Sequence, residues 1–178
     1  LVGNQLVEGL IDRVTGATFS ELRLVVEYDM ILTITAGKHK PISIEKIQNL
    51  FFWLRNKCGF RFGLVTADQF QSENTLQMME AHGFKVKRLS VDRNKTVYYS
   101  WKIGFEEYRI RPYRQSQMLR EAEKLLDLPD KVDHPPDGSK DTTDAAAGAY
   151  YNAVTEAAAS NSAPAYVTGP GLYGNDDE

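Results

Sequence analysis

The order of apolar and polar residues predicts strands that alternate with helices along most of the chain. Residues 1–13, LVGNQLVEGLIDR, look like a first strand. Residues 22–35 form a longer run rich in β-branched residues, which predicts a central strand with a bend near Asp29. Shorter apolar runs at 62–67 and 84–91 predict two further strands.

Helical periodicity separates these strands. Ser43 precedes the first helix and is a favourable N-cap, because its hydroxyl oxygen can accept from an N–H group of the first turn. Gly83 is expected to end the second helix, since glycine readily adopts the left-handed conformation found after a C-cap. Residues 108–114 are expected to be short and extended. The five helices are predicted at 43–57, 72–82, 95–108, 114–128 and 141–158.

Alternating strands and helices predict an α/β fold in layers, with a central mixed sheet flanked by helices. At 178 residues the chain is long enough for one such domain, which we place at residues 1–158. The composition then changes to Ser, Asn, Gly, Pro and Asp, so residues 159–178 are predicted to be a disordered tail.

Composition narrows the function classes. The formal net charge is -3, which argues against a broadly basic nucleic-acid coat protein and leaves any nucleic-acid contact to a local patch. The sequence contains one cysteine, Cys58, so neither an internal disulfide nor a zinc site built from several thiolates is expected, as suits a reducing compartment. A Walker-type GxxxxGK[ST] motif is absent from the sequence, so ATP hydrolysis by this chain is not expected.

Three aspartates are candidates for chemistry. Asp68 follows the apolar run 62–67, which places a carboxylate at the carboxyl edge of a sheet, where open α/β sheets bind ligands. The alternative is an ordinary turn residue. Asp141 and Asp144 open the last predicted helix, where they either cap it as N-cap and N3 residues or present carboxylates toward a site. Small residues follow at 145–148 and allow close approach to a sheet.

Carboxylate oxygens are preferred ligands of Mg²⁺ and Mn²⁺. Two such ions about 4 Å apart can activate water and stabilise the leaving oxygen of a phosphodiester. The histidines, at positions 39, 82 and 134, are too scattered to predict a zinc site, and His134 more plausibly structures its loop. A basic cluster is formed by Arg109, Arg111 and Arg114, which either bind phosphates or form a solvated face.

Three motifs in this order, VTADQFQS, LSVDR and KVDHPPDGSKDTTDAAAGA, resemble the C-terminal nuclease domain of tailed-phage terminase large subunits. The resemblance covers roughly residues 1–155, and the last motif is the most specific. It implies a ribonuclease H-like fold and a two-metal Mg²⁺ or Mn²⁺ endonuclease that cuts concatemeric viral double-stranded DNA during genome packaging. It also implies an N-terminal ATPase domain of the same polypeptide, a portal protein, a small terminase subunit and the host cell cytoplasm.

The resemblance assigns roles to individual residues. Asp68 matches the family's second acidic residue and Asp144 its last, so both would be metal ligands. Asp141 sits where relatives often carry another polar or acidic helper, so we include it as a secondary catalytic candidate.

The family's first catalytic aspartate lies within its first strand, and it has no counterpart that we can assign. Asp12 is a tempting substitute, but only about ten residues separate it from the strand at 22–35, too few for the intervening strand. Asp29 matches a structural position. We therefore expect the first strand and its aspartate to precede Leu1, so that the metal site of this fragment is incomplete.

Two alternatives remain open. Another ribonuclease H-like nuclease, such as a junction resolvase or an RNA–DNA hybrid nuclease, is disfavoured by the DHPPDGSKD segment. A non-catalytic or remnant module that binds DNA or portal protein without cutting is the alternative outside the enzyme class.

Overall fold

Helices and small β-sheets alternate in the computed structural model, which describes residues 2–67, 73–91 and 95–160. This confirms the predicted mixed α/β class. Within these ranges the strands pair as one three-stranded sheet and two two-stranded sheets. The single layered sheet of a ribonuclease H-like fold therefore stays a proposal.

The first two strands form a long antiparallel hairpin, β1 (Val2–Ile11) and β2 (Thr18–Glu27). Their register is interrupted between Val7 and Leu10, where Gly9 has a φ of 70°. A short strand, β5 (Ile110–Arg111), runs parallel to β2 and completes the sheet in the order β1-β2-β5. The predicted strand at 1–13 is thereby confirmed with slightly shorter bounds.

The predicted strand at 22–35 is only partly correct. Strand pairing ends at Glu27, and residues 28–36 belong to no strand of the described chain. Met30, Leu32 and Ile34 are exposed while the residues between them are half-buried, so the alternation of an extended segment persists. Side chains of this segment bond to the last helix, from the Tyr28 hydroxyl to the Ala146 carbonyl oxygen and between the Thr33 and Thr142 hydroxyls.

Local capping signals correctly predict the next elements. Helix α1 (Ile44–Asn56) has Ser43 as its N-cap, whose hydroxyl oxygen accepts from the Lys46 N–H at 3.3 Å. Helix α2 (Glu73–Ala81) ends before Gly83, which has a φ of 79°. Strands β3 (Val65–Ala67) and β4 (Val86–Arg88) pair in parallel.

The last three helices carry the core. They are α3 (Lys95–Glu106), α4 (Ser116–Ala122) and α5 (Asp141–Ser160). None of the described helices has the length and apolar character needed to cross a membrane. The hydrophobic cluster to which they contribute contains the buried residues Val26, Val91, Val97, Tyr98, Trp101, Ile110, Met118, Val132, Ala146, Ala147 and Tyr150.

Two predicted helix ends are wrong. The helix predicted at 114–128 ends at Ala122, and β6 (Leu126–Asp127) pairs antiparallel with β7 (Val132–Asp133). Lys95 stabilises this arrangement, since its Nζ lies 2.6 Å from the Leu128 carbonyl oxygen and 2.5 Å from Asp127 Oδ1. Helix α5 includes the first two residues of the predicted tail, and residues 161–178 lie outside the described ranges.

Helices α3 and α5 pack closely at Gly104, which leads to the first prediction. A Cβ at this position would lie 2.6 Å from the ring of Tyr150 and 2.9 Å from Ile110. Replacing glycine by alanine within a helix normally gains about 1 kcal/mol, but overpacking a core costs about 1–3 kcal/mol. We therefore expect Gly104→Ala to lower the free energy of unfolding, measured by urea denaturation.

Gly148→Ala is the matched control. Its added Cβ would lie 3.3 Å from the Leu89 side chain, a contact that a small movement relieves. Equal or higher stability of Gly104→Ala relative to wild type would contradict the packing described for these helices.

Candidate functional site

The first turn of α5 presents the two aspartates of the GSKDTTD segment. The helix begins at Asp141, whose N–H donates to the Ser139 hydroxyl at 3.3 Å, so Asp141 is the first helical residue rather than the N-cap. Asp144 comes three residues later, and its N–H donates to the Lys140 carbonyl oxygen at 2.7 Å. Residues three apart are neighbours on a helix surface, so both carboxylates belong to one side of the first turn.

A buried carboxylate from α4 caps this turn. Oε2 of Glu121 accepts from the N–H groups of Thr142 and Thr143 at 2.9 and 3.0 Å, and from the Thr143 hydroxyl at 3.3 Å. Its Oε1 accepts from the Gln117 amide at 3.0 Å. Negative charge is favourable at a helix N-terminus, and the exposed N–H groups of the first turn need acceptors. Glu121 therefore fixes where α5 begins.

Lys140 and Tyr98 both hold the Asp144 carboxylate. Nζ of Lys140 lies 3.2 Å from Oδ1 and 3.0 Å from Oδ2 of the carboxylate, and the Tyr98 hydroxyl donates to Oδ1. The Lys140 side chain is 7% exposed, whereas that of Asp144 is 23% exposed. The carboxylate is thus fixed on its inner side and retains access to solvent.

A cleft of about 550 Å³ opens beside this turn. Its lining includes Thr33, Gln117, Asp141 and Thr142, with the remainder mostly apolar. Thr33 lies 3.3 Å from the Thr142 hydroxyl and accepts from the Gln115 amide at 3.1 Å. The segment at 28–36 is therefore tied both to the start of α5 and to the residue before α4.

Tyr28 connects the same segment to the core. Its hydroxyl donates to the Ala146 carbonyl oxygen at 2.7 Å and accepts from the Trp101 indole N–H at 2.9 Å. Burial raises the pKa of Tyr28 well above its ordinary value of 10.0, and this outweighs the lowering by the Trp101 hydrogen bond.

This pKa shift gives a prediction at alkaline pH. Because the folded state holds the Tyr28 proton more tightly than the unfolded state, its contribution to stability is fully present below pH 10 and is lost as pH rises further. Above pH 10, we expect the unfolding free energy of wild type to fall more steeply than that of Tyr28→Phe, by up to about 1.4 kcal/mol per pH unit. Urea denaturation at several pH values measures both slopes, and equal slopes would contradict the assignment.

Asp68, the other proposed ligand, lies outside the described residues, as does Asp92 of the LSVDR motif. Strand β3 ends at Ala67, immediately before Asp68. The structure therefore leaves the predicted position of Asp68 untested.

The described end of β3 nevertheless lies against α5. Asn152 donates to the Thr66 hydroxyl at 2.8 Å, and the Ala67 carbonyl oxygen accepts from the Leu89 N–H at 3.2 Å. A Cβ on Gly148 would lie 3.3 Å from Leu89. Thr66 thus lies beside Asn152, whereas Leu89, the residue bonded to Ala67, lies beside Gly148, four residues nearer the start of α5. Strand β3 therefore runs toward the beginning of α5.

Asp12 has a local structural role. Its Oδ1 accepts from the N–H groups of Val14 and Thr15 at 2.9 and 2.7 Å, and from the Thr15 hydroxyl at 3.0 Å. The hydrogen bonds from Thr15, followed by that from Val14, lower the pKa of Asp12. Asp12 thus organises the turn of the β1–β2 hairpin.

The predicted arginine cluster divides into two kinds of environment. Arg109 is half-buried and forms an ion pair with Glu107, with Nε and Oε2 2.8 Å apart. Arg111 in β5 and Arg114 before α4 are exposed.

His134 has its Nδ1 2.6 Å from the Pro135 carbonyl oxygen, which suits a histidine that structures its loop.

The described residues fit only part of a divalent-metal site. Across residues 2–67, 73–91 and 95–160, no group of three or more His, Cys, Asp or Glu side chains is placed to hold a metal ion. Asp144 and Asp141 nevertheless supply oxygen donors of the type that Mg²⁺ prefers, and Asp144 already faces a cation, Lys140. Any complete site needs further ligands from outside the described ranges.

We did not predict from the sequence that Glu121 or Lys140 belongs to this site. Glu121 lies in an amphipathic segment where a glutamate is normally solvated, and Lys140 precedes the helix without any pattern that marks burial. Their only local indication is the spacing of Lys140 and Asp144, which are four residues apart.

Comparison with known proteins adds no assignment: no protein-family model, curated protein or solved structure matches the chain.

Proposed function

We propose that this chain is the nuclease domain of a viral DNA-packaging terminase large subunit, with a ribonuclease H-like fold and a metal-dependent endonuclease activity. Its substrate would be concatemeric double-stranded DNA, cut during genome packaging. The observation that carries the proposal is the placement of Asp144 on the first turn of α5, oriented by Lys140 and Tyr98 at a solvent-accessible edge. The end of β3 runs toward this turn.

In this proposal Asp68 and Asp144 bind Mg²⁺ or Mn²⁺, and Asp141 assists from the cleft. When bound, the metal supplies activation of water and stabilisation of the leaving phosphodiester oxygen. The chain's own residues hold the site in place: Glu121 fixes the first turn of α5, while Lys140 and Tyr98 hold the Asp144 carboxylate.

The proposed partners follow from the same assignment. Duplex viral DNA is the substrate, and the exposed Arg111 and Arg114 are proposed to contact its phosphates. A portal protein, a small terminase subunit and an N-terminal ATPase domain of the same polypeptide would complete the packaging motor in the host cell cytoplasm.

A non-catalytic module that binds DNA or portal protein is the second candidate. The pairing of Asp144 with Lys140 favours it, because an ion pair can serve packing alone. The two candidates differ in one outcome, which is whether DNA is cut.

Nicking of supercoiled plasmid in the presence of Mn²⁺ tests the proposal. We expect cleavage by the full polypeptide that the proposal implies, and weak or no cleavage by this chain alone, because the resemblance calls for an additional aspartate ligand. Asp68→Ala should abolish cleavage. DNA binding without metal-dependent cutting would favour the non-catalytic module, and undiminished cutting by both Asp68→Ala and Asp144→Ala would exclude the proposed site.

A further inference from the structure

The position of Lys140 is unusual for a lysine. Its side chain is 7% exposed, and lysines are seldom buried without a paired charge. It also immediately precedes the first turn of α5, where the helix dipole favours negative rather than positive charge. Both the burial and the dipole therefore disfavour an ammonium group at this position.

Stability alone is a weak reason for this ion pair. Replacing a buried ion pair by apolar residues of similar volume is often neutral or stabilising. The Lys140 ammonium contacts both oxygens of Asp144, and it also lies 6.0 Å from the centre of the Tyr98 ring. The carboxylate that the proposed function assigns to metal binding is therefore in direct contact with this ammonium group.

We infer that Lys140 positions the Asp144 carboxylate and acts as a resident cation that competes with a divalent metal there. A metal ion that binds Asp144 meets a positive charge already in contact with both carboxylate oxygens, and like charges repel at close range. Metal affinity at Asp144 is therefore low until other groups, including the phosphates of bound DNA, add negative charge. This inference rests on the proposed function for its metal.

Manganese titration of the ¹⁵N-labelled chain, without DNA, tests the inference. Paramagnetic broadening of the amide resonances of residues 143–147 gives an apparent Kd for Mn²⁺ near Asp144. We expect Lys140→Met to lower this Kd by at least about tenfold, because it removes the competing charge while keeping the unbranched side chain. Lys140→Arg keeps the charge and should remain within about threefold of wild type. Lys124→Met, at an exposed lysine of the same chain, is the matched control and should change nothing.

A purely structural role for Lys140 predicts the opposite direction, since loosening Asp144 would weaken metal binding. Unchanged or weaker Mn²⁺ binding by a folded Lys140→Met variant would therefore overturn the inference. The double variant Lys140→Met, Asp144→Asn should lose the tighter binding, and its persistence would place the metal elsewhere and overturn the inference as well.

The same variants separate this inference from the proposed function. Tighter Mn²⁺ binding by Lys140→Met without DNA cleavage by any form would support the inference and refute the nuclease. Metal-dependent cleavage that requires Asp144, combined with equal Kd values for wild type and Lys140→Met, would support the nuclease and refute the inference. Absence of Mn²⁺ binding near Asp144 in every variant would refute the inference, and cleavage that does not require Asp144 would refute the nuclease site.

Discussion

Asp144→Asn is expected to lower the rate of Mn²⁺-dependent DNA cleavage by more than about 100-fold, the upper end of the effect of changing a residue that only supports a metal ligand. Asparagine retains the size of aspartate and can still accept from Tyr98, but it removes the negative charge that a divalent ion needs. Plasmid nicking under single-turnover conditions by the full polypeptide that the proposal implies measures the effect.

Asp137→Asn is the control for charge removal. Asp137 is exposed in the loop that precedes α5, so its replacement changes the net charge equally without touching the first turn of the helix. The proposed role of Asp144 would be refuted if the two variants cut DNA at similar rates while both remain folded.

Glu121→Ala is expected to lower the free energy of unfolding by about 3 kcal/mol, since each buried donor left without an acceptor costs about 1–3 kcal/mol. The variant deprives two buried donors of their acceptor, namely the N–H groups of Thr142 and Thr143, whereas the Thr143 hydroxyl keeps the Lys140 carbonyl oxygen at 2.9 Å. Thr142 and Thr143 are 5% and 0% exposed, so water cannot readily replace the carboxylate.

Two comparisons sharpen this result. Glu121→Gln keeps an amide oxygen as acceptor and should cost less, about 1 kcal/mol, in line with the loss of one charge-assisted cap. Glu123→Ala, at an exposed position two residues later, should change stability by less than about 0.5 kcal/mol. Chemical denaturation measures all three, and a Glu121→Ala variant as stable as Glu123→Ala would show that this carboxylate does not fix the start of α5.

Elements with local determinants were predictable from sequence. The side chain of Ser43 begins α1, and the left-handed conformation of Gly83 ends α2, so short-range backbone chemistry sets both boundaries. The start of α5 at Asp141 was also predicted correctly. For α1 and α2 the deciding contacts lie within a few residues of the boundary, whereas Glu121, which caps α5, is 21 residues away from Thr142.

Elements that depend on distant partners were predicted less well. Strand β2 ends at Glu27, and the side chain of the next residue, Tyr28, bonds to Ala146, which lies 118 residues further along the chain. The helix predicted at 114–128 stops early, and Lys95 binds the segment that follows it. Apolar patterning describes which faces are buried, but it does not identify which polar groups will meet.

The same distinction applies to the candidate site. The sequence identified Asp141 and Asp144, but not the residues that hold them. Tyr98 is 46 positions from Asp144, and Glu121 is 21 positions from Thr142. These pairings arise from the packing of α3 and α4 on α5 and leave no mark in local spacing.

The location of bound manganese tests the central proposal most directly. Crystals of the full polypeptide that the proposal implies, soaked in MnCl₂, give an anomalous difference map that identifies the metal and its ligands. We predict peaks coordinated by Asp144 and Asp68 at the beginning of α5. Manganese peaks confined to other parts of the molecule, with Asp144 still held by Lys140 and Tyr98, would contradict the proposal that this chain carries a metal-dependent nuclease site.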